Sequence, residues 1–157
     1  MKVIVIGPRG KMGKLITQVA AERDDMELVA GVAPAGRDYV GQDLGMVALI
    51  GRNLGVPVVD DLAAVIDGCD VIIDFSTREN ALKVLDLAVK HGKALVCGTT
   101  GFSEEEFARF KEAAKTIPML YAANTSKLVN IMNKLLEMVT KTLGEDADIE
   151  ILEMHDQ

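Results

Sequence analysis

Residues 3–16 read VIVIGPRGKMGKLI: an apolar, β-branched run, three evenly spaced glycines and at once a helical pattern. The spacing of Gly7, Gly10 and Gly13 suits a turn whose backbone N–H groups and helix N-terminus meet a pyrophosphate. It equally suits a tight strand-to-helix turn with no ligand. In the first reading Gly7 permits the turn, Gly10 lets the backbone approach phosphate, and Gly13 lets the helix pack closely on the strand. The pattern G-x-x-G-x-x-G is a variant of the commoner G-x-G-x-x-G, so the rest of the chain has to decide.

Outward from this turn, strand and helix patterns alternate. KVIVI (2–6) and ELVAGVA (27–33) read as strands, and 11–23 between them carries Leu15, Ile16, Val19 and Ala20 at helical spacing. The passage 34–56 is long, Gly-rich and without a period. PVVDD (57–61) reads as a short strand and a helix start, and DVIIDF (70–75) as an apolar strand. Ser76 with Glu79 predicts a capping box for a helix to about Lys90, and Ser103 with Glu106 a second for a helix to about Lys115. KALVCGTTGF (93–102) is a strand running into a turn, and PMLYAAN (118–124) is the next strand. Ser126 to Leu143 is an amphipathic helix ended by Gly144, and ADIEILEMH (147–155) is a last strand. Apolar strands separated by helices predict an α/β fold: a Rossmann-like, doubly wound, mostly parallel sheet with helices on both faces. Residues 1–157 read as one such domain.

The bulk properties narrow the function. A net charge of −7 argues against nucleic acid or an anionic membrane as partner. No run of 18 apolar residues occurs, so neither a membrane span nor a secretory signal is expected. Cys69 and Cys97 sit at predicted buried strands and read as free thiols, which points to the cytoplasm. No Cys/His cluster has ligand spacing, so no metal is expected. Glu104–Glu106 suits the first turn of a helix, and His91 before Gly92 reads as a helix C-terminal cap. Met132 and Met138 read as core filling.

One expected element is missing. A dinucleotide site of this kind has an acid at the end of its second strand, for the adenosine ribose hydroxyls. Here that strand ends in Ala33-Pro34, with Arg37 and Asp38 further on. The choice between NADH and NADPH stays open, with Arg37 suited to a 2′-phosphate.

Several motifs occur in one order: G-P-R-G-K-M-G (7–13), D-F-S (74–76), G-T-T-G-F (98–102), A-A-N-x-S (122–126), V-N (129–130) and I-E-I-x-E-x-H (149–155). Together, over the whole length, they resemble the dihydrodipicolinate reductase family of the diaminopimelate and lysine pathway. The resemblance implies NAD(P)H as cofactor, a small dicarboxylate as substrate, and a further domain that binds substrate and makes a homotetramer. It places Gly7, Pro8, Arg9, Gly10, Lys11, Met12 and Gly13 at the pyrophosphate. Gly98, Thr99, Thr100 and Ala122, Ala123, Asn124, Thr125 would face the nicotinamide and its ribose. His155 matches the first histidine of the family's E-x-H-H-x-x-K segment, where a histidine suits proton donation near neutral pH; its other reading is a strand-end residue with no chemistry. Three departures stand out. Asp156 replaces the family's second histidine, Leu128 stands where the family has glycine in S-x-G-V-N, and the family's catalytic lysine and substrate loop would lie past Gln157. The 157 residues alone are therefore expected to bind cofactor without turnover. A related amino-acid dehydrogenase of the same architecture and a non-catalytic dinucleotide-binding module remain the alternatives.

Overall fold

The computed structural model describes residues 1–146, 148 and 150. His155, Asp156 and nearly all of the strand expected over 147–155 lie outside them. The chain forms two compact units, Met1–Ala123 and Asn124–Gln157.

The first unit is built on six parallel strands: β1 (Lys2–Ile6), β2 (Glu27–Val32), β3 (Val58–Val59), β4 (Val71–Asp74), β5 (Ala94–Cys97) and β6 (Met119–Tyr121). Their order is β3-β2-β1-β4-β5-β6, so the winding reverses between β1 and β4. This is the Rossmann-like architecture expected from the sequence. The helices are α1 (Lys11–Ala21), α2 (Leu44–Val47), α3 (Arg78–His91) and α4 (Glu104–Ala113), with a 3-10 turn at Ile66–Gly68.

Alternation along each strand divides the core between the two faces. Ile4 and Ile6 of β1, Ile72 of β4 and Leu95 of β5 pack with Val84, Leu85 and Ala88 of α3 and Phe110 and Ala113 of α4. Val3, Val5 and Val71 point the other way and meet Ile16 of α1. Each fully buried side chain of this size contributes roughly 1.5–3 kcal/mol.

Helix α1 buries Gly13, Thr17 and Ala20, leaving Leu15 and Val19 more than half exposed. Of the four apolar positions read as helical, Ala20 is buried and Ile16 packs on the sheet, so the spacing marks the helix but only half of it marks the packed face. The passage 34–56 contains α2, whose cap Asp43 gathers four backbone N–H groups, those of Gly45, Leu54, Gly55 and Val56, at 2.8–3.2 Å. Burial alone would raise the Asp43 pKa; the four donors outweigh it and hold it below the usual carboxylate range.

Helix α3 is capped by Thr77, one residue after the expected Ser76. Ser76 stays in the turn because its N–H donates to Asp74 Oδ1 and Thr99 Oγ1. The second capping box forms as expected between Ser103 and Glu106. His91 ends α3, but Gly92 in the left-handed region makes the cap, and the ring instead meets Asp67 at 2.8 Å. Cys69 and Cys97 are free and buried, and burial pushes the Cys97 thiol up to about 11.

The second unit carries α5 (Lys127–Leu143), capped by Ser126 and ended by Gly144. This helix buries none of its residues. Met132 and Met138, read from the sequence as core filling, are exposed among the described residues. No helix among the described residues is long and apolar enough to cross a membrane.

Candidate functional site: a cleft at the sheet switch point

The glycine turn is shaped by three different demands. Gly7 has φ +68°, a conformation that favours glycine. A Cβ on Gly13 would lie 2.1 Å from the Gly7 carbonyl oxygen, so α1 can approach the turn only with glycine there. Gly10 is extended, and a Cβ would meet the same oxygen at 3.2 Å, a tight but adjustable contact. Gly10 is also the N-cap of α1, and it offers no side chain to the first-turn N–H groups. Helices α2 to α5 are all capped by a side chain, from Asp43, Thr77, Ser103 and Ser126. Among the five α-helices described, α1 alone keeps its N-terminus open to an external anion.

That open end borders a cleft of about 680 Å³ at the C-terminal ends of β1, β2, β3 and β4. Gly7, Gly10 and Ile6 form its floor; Ala33, Pro34, Ala35, Arg37 and Tyr39 come from the segment after β2. Asp60, Asp61 and Leu62 follow β3, and Phe75, Ser76, Thr77, Asn80, Lys83, Val84 and Leu87 come from the β4–α3 turn and α3. The cleft lies at the reversal of strand order, where open α/β sheets bind their ligands.

Several residues assigned from the sequence hold the cleft's walls instead of lining it. Pro8 packs over β2, since a Cβ on Gly31 would meet its ring at 3.0 Å. Arg9 pairs with Asp38 at 2.8 Å and lies 4.9 Å over the Tyr39 ring, tying the glycine turn to the loop after β2. Lys11, Met12 and Gly13 are in the first turn of α1. Gly98 gives room to the Phe75 ring, which a Cβ there would strike at 2.0 Å. Thr99 is buried and its hydroxyl accepts from Ser76, while Thr100 is exposed. The Ala122 N–H donates to Cys97 O, and Ala123 is exposed. In the second unit, Asn124 Oδ1 accepts from the Ser126 N–H, and Thr125 is exposed. Only Gly7, Gly10 and Arg37 of the assigned set line the cleft directly.

Asp74, at the end of β4, is fully buried behind this turn. Burial raises its pKa, against the opposing hydrogen bond from Ser76, and its Oδ2 has no hydrogen-bond partner among the described residues. Tyr39, Asp60, Asp61, Thr77, Asn80 and Lys83 also line the cleft without having been assigned from the sequence. Asp60, Asp61 and Thr77 follow β3 and β4 closely, whereas Tyr39 lies in the long loop after β2, and Asn80 and Lys83 in α3.

The family model for dihydrodipicolinate reductase, N-terminus, matches residues 1–125. The chain belongs to this family. It is 42% identical to 4-hydroxy-tetrahydrodipicolinate reductase of Hahella chejuensis over 98% of the chain and 57% of that protein. It is 46% identical to the enzyme of the same name from Geobacter metallireducens, over 99% of the chain and 58% of that protein. The chain thus spans somewhat more than half the length of these curated dihydrodipicolinate reductase relatives. Among solved structures, the dipicolinate-bound dihydrodipicolinate reductase of Paenisporosarcina sp. TG-14 matches with a TM-score of 0.72 at 26% identity, over 89% of the chain and 53% of that protein. An oxidoreductase of Agrobacterium radiobacter in complex with NAD+ shares the fold, with a TM-score of 0.64 at 16% identity over 88% of the chain and 40% of that protein.

Proposed function

We propose that this chain is the pyridine-nucleotide-binding part of an NAD(P)H-dependent 4-hydroxy-tetrahydrodipicolinate reductase, acting in the cytoplasm on a small dicarboxylate. The observation that carries this is the cleft at the β1/β4 switch point, bordered by the one α-helix start among the described residues that has no side-chain cap. A bound pyridine nucleotide would supply the hydride. Gly7, Gly10 and the first turn of α1 would hold its pyrophosphate, and Gly13 would keep that turn close to the sheet. Asp74 and Thr99 fix Ser76, and so set the shape of the β4–α3 wall. His155 would give the proton that balances the hydride, to the substrate nitrogen.

Both cofactor forms suit the adenosine end. Arg37 lines it and has no ion pair among the described residues, while Asp38, its neighbour, is held by Arg9. A 2′-phosphate would meet Arg37, giving NADPH a small, salt-sensitive advantage. By the family resemblance, the whole protein would be a homotetramer in which further residues hold the dicarboxylate.

Calorimetric titration of the chain with NADH and NADPH tests the binding reading. Saturable binding of either is expected, and its absence would refute it. An NADPH-oxidation assay with freshly made substrate, on the 157 residues and on the same residues joined to the remaining part of a relative, tests the reductase reading. Turnover is expected only from the joined protein; no turnover from it would refute the assignment.

A further inference from the structure

The adenosine end of the cleft lacks an acid at the end of β2 but has one directly after β3. Apolar side chains of Ala33, Pro34, Leu62, Val84 and Leu87 form walls suited to a flat ring. Two carboxylates border these walls, Asp60 and Asp61. Asp61 is already engaged, its Oδ1 accepting the Ala63 N–H at 2.9 Å. Asp60 is exposed and makes no hydrogen bond or ion pair among the described residues, although Lys83 and Arg37 line the same cleft. It stands directly after Val59, whose carbonyl accepts the Ala33 N–H at 2.8 Å, so its place beside Ala33 and Pro34 is fixed by the sheet. A carboxylate is only an acceptor. An acceptor at the edge of an apolar slot favours a ring with an exocyclic donor and opposes one with a carbonyl there.

The geometry points to Asp60 as the residue that reads the purine of the dinucleotide, taking the adenine amino group as its donor. The inference rests on the dinucleotide reading of this cleft. It predicts discrimination at the base, a part of the cofactor remote from both the hydride and the 2′ position. In hypoxanthine a carbonyl oxygen replaces the amino group, so lone pairs would face the carboxylate. Losing one charge-assisted hydrogen bond and gaining that repulsion reduces affinity about tenfold or more.

The test is calorimetric titration of the full chain with NADH and with reduced nicotinamide hypoxanthine dinucleotide. The unaltered chain should prefer NADH by about tenfold or more. Asp60→Asn, whose amide can rotate to donate, should bring the two affinities to near parity. Asp60→Ala should weaken NADH binding and also remove the preference. Asp61→Asn should keep the preference. Circular dichroism should show all three variants folded, because both carboxylates are exposed. Equal affinities in the unaltered chain, a preference surviving in either Asp60 variant, or one lost in Asp61→Asn would overturn the assignment. Failure of both dinucleotides to bind the unaltered chain would instead refute the dinucleotide reading, and this inference with it.

Discussion

Gly13→Ala and Gly10→Ala separate the two jobs of the glycine turn. At Gly13 the added carbon would lie 2.1 Å from the Gly7 oxygen, 2.8 Å from its carbonyl carbon and 2.9 Å from Pro8 Cα. All three obstacles are backbone, so no side chain can rotate away. Helix α1 or the turn must shift by roughly 1 Å, which disturbs the contact of Ile16 with Val3 and Val5. Overpacking of this kind costs about 3 kcal/mol, the upper part of its usual range. The intrinsic preference of a helix for alanine over glycine returns about 1 kcal/mol, leaving a net loss of about 2 kcal/mol. At Gly10 the added carbon meets one atom at 3.2 Å in an ordinary extended backbone, so the loss should stay below about 1 kcal/mol. Urea denaturation monitored by circular dichroism reads both values. Cofactor titration should give the reverse order, with Gly10→Ala weakening binding more than its stability loss explains. Equal stability losses, or a Gly10→Ala variant with unaltered affinity, would refute this division of labour.

Further outcomes follow from other parts of the fold. Asp43→Ala deprives four backbone N–H groups of their acceptor and should destabilise by about 2–3 kcal/mol, discounted for partial solvent access, in urea denaturation at neutral pH. The native Asp43 pKa is depressed, so its contribution is full above about pH 4 and lost as pH falls through the native value; the alanine variant should lack that acid-side slope. Ser103→Ala should cost about 1 kcal/mol through loss of the capping box, and unchanged stability would show the box to be redundant. Arg37→Ala should remove any advantage of NADPH over NADH and its salt dependence, as read by titration at two ionic strengths. Asp74 has a raised native pKa, so the native state binds more protons than the unfolded chain from about pH 4 up to that value, and stability falls across this window. Asp74→Asn keeps an acceptor for Ser76 but cannot titrate, so its stability curve should be flatter there; an unchanged slope would show that another group carries it. Cys97, the other titratable group beside Asp74, stays neutral across that window with its thiol at about 11.

The fold was legible because its strands are short, β-branched runs bounded by glycines and capping residues. Lys2–Ile6 and the Ser103–Glu106 box needed no tertiary knowledge. The errors came where a third residue intervened. Ser76 has the composition of a cap, but Asp74 at the end of β4 and Thr99 in the turn after β5 claim its N–H, and the cap passes to Thr77. Leu15 and Val19 are apolar yet exposed, because the close approach through Gly13 turns Thr17 and Ala20 to the sheet, with Ile16 partly buried against Val3 and Val5. The passage 34–56 showed no period because one carboxylate, Asp43, organises it through backbone donors spread over 12 residues.

The site was legible to the degree that it depends on backbone. Gly7 and Gly13 announce their roles, since no other residue type meets a φ of +68° or a 2.1 Å clearance so readily. Side chains around the turn also make structural contacts that a single sequence does not display. Arg9 sits in the phosphate turn by sequence, but Asp38 and the Tyr39 ring hold its guanidinium. Gly98 reads as a ligand-facing turn, and its lack of a Cβ is what lets the Phe75 ring lie where it does. The missing acid on β2 gives the same lesson in reverse. Reading each strand end by itself leaves Ala33-Pro34 with no polar group for the adenosine. The parallel register sets Val32 beside Val59, so Asp60, the residue directly after β3, is the one that brings a carboxylate to the same wall. A strand pair, not a strand, is the unit on which that end of the cleft is written, and pairing is the one relation between distant segments that a single sequence does not display.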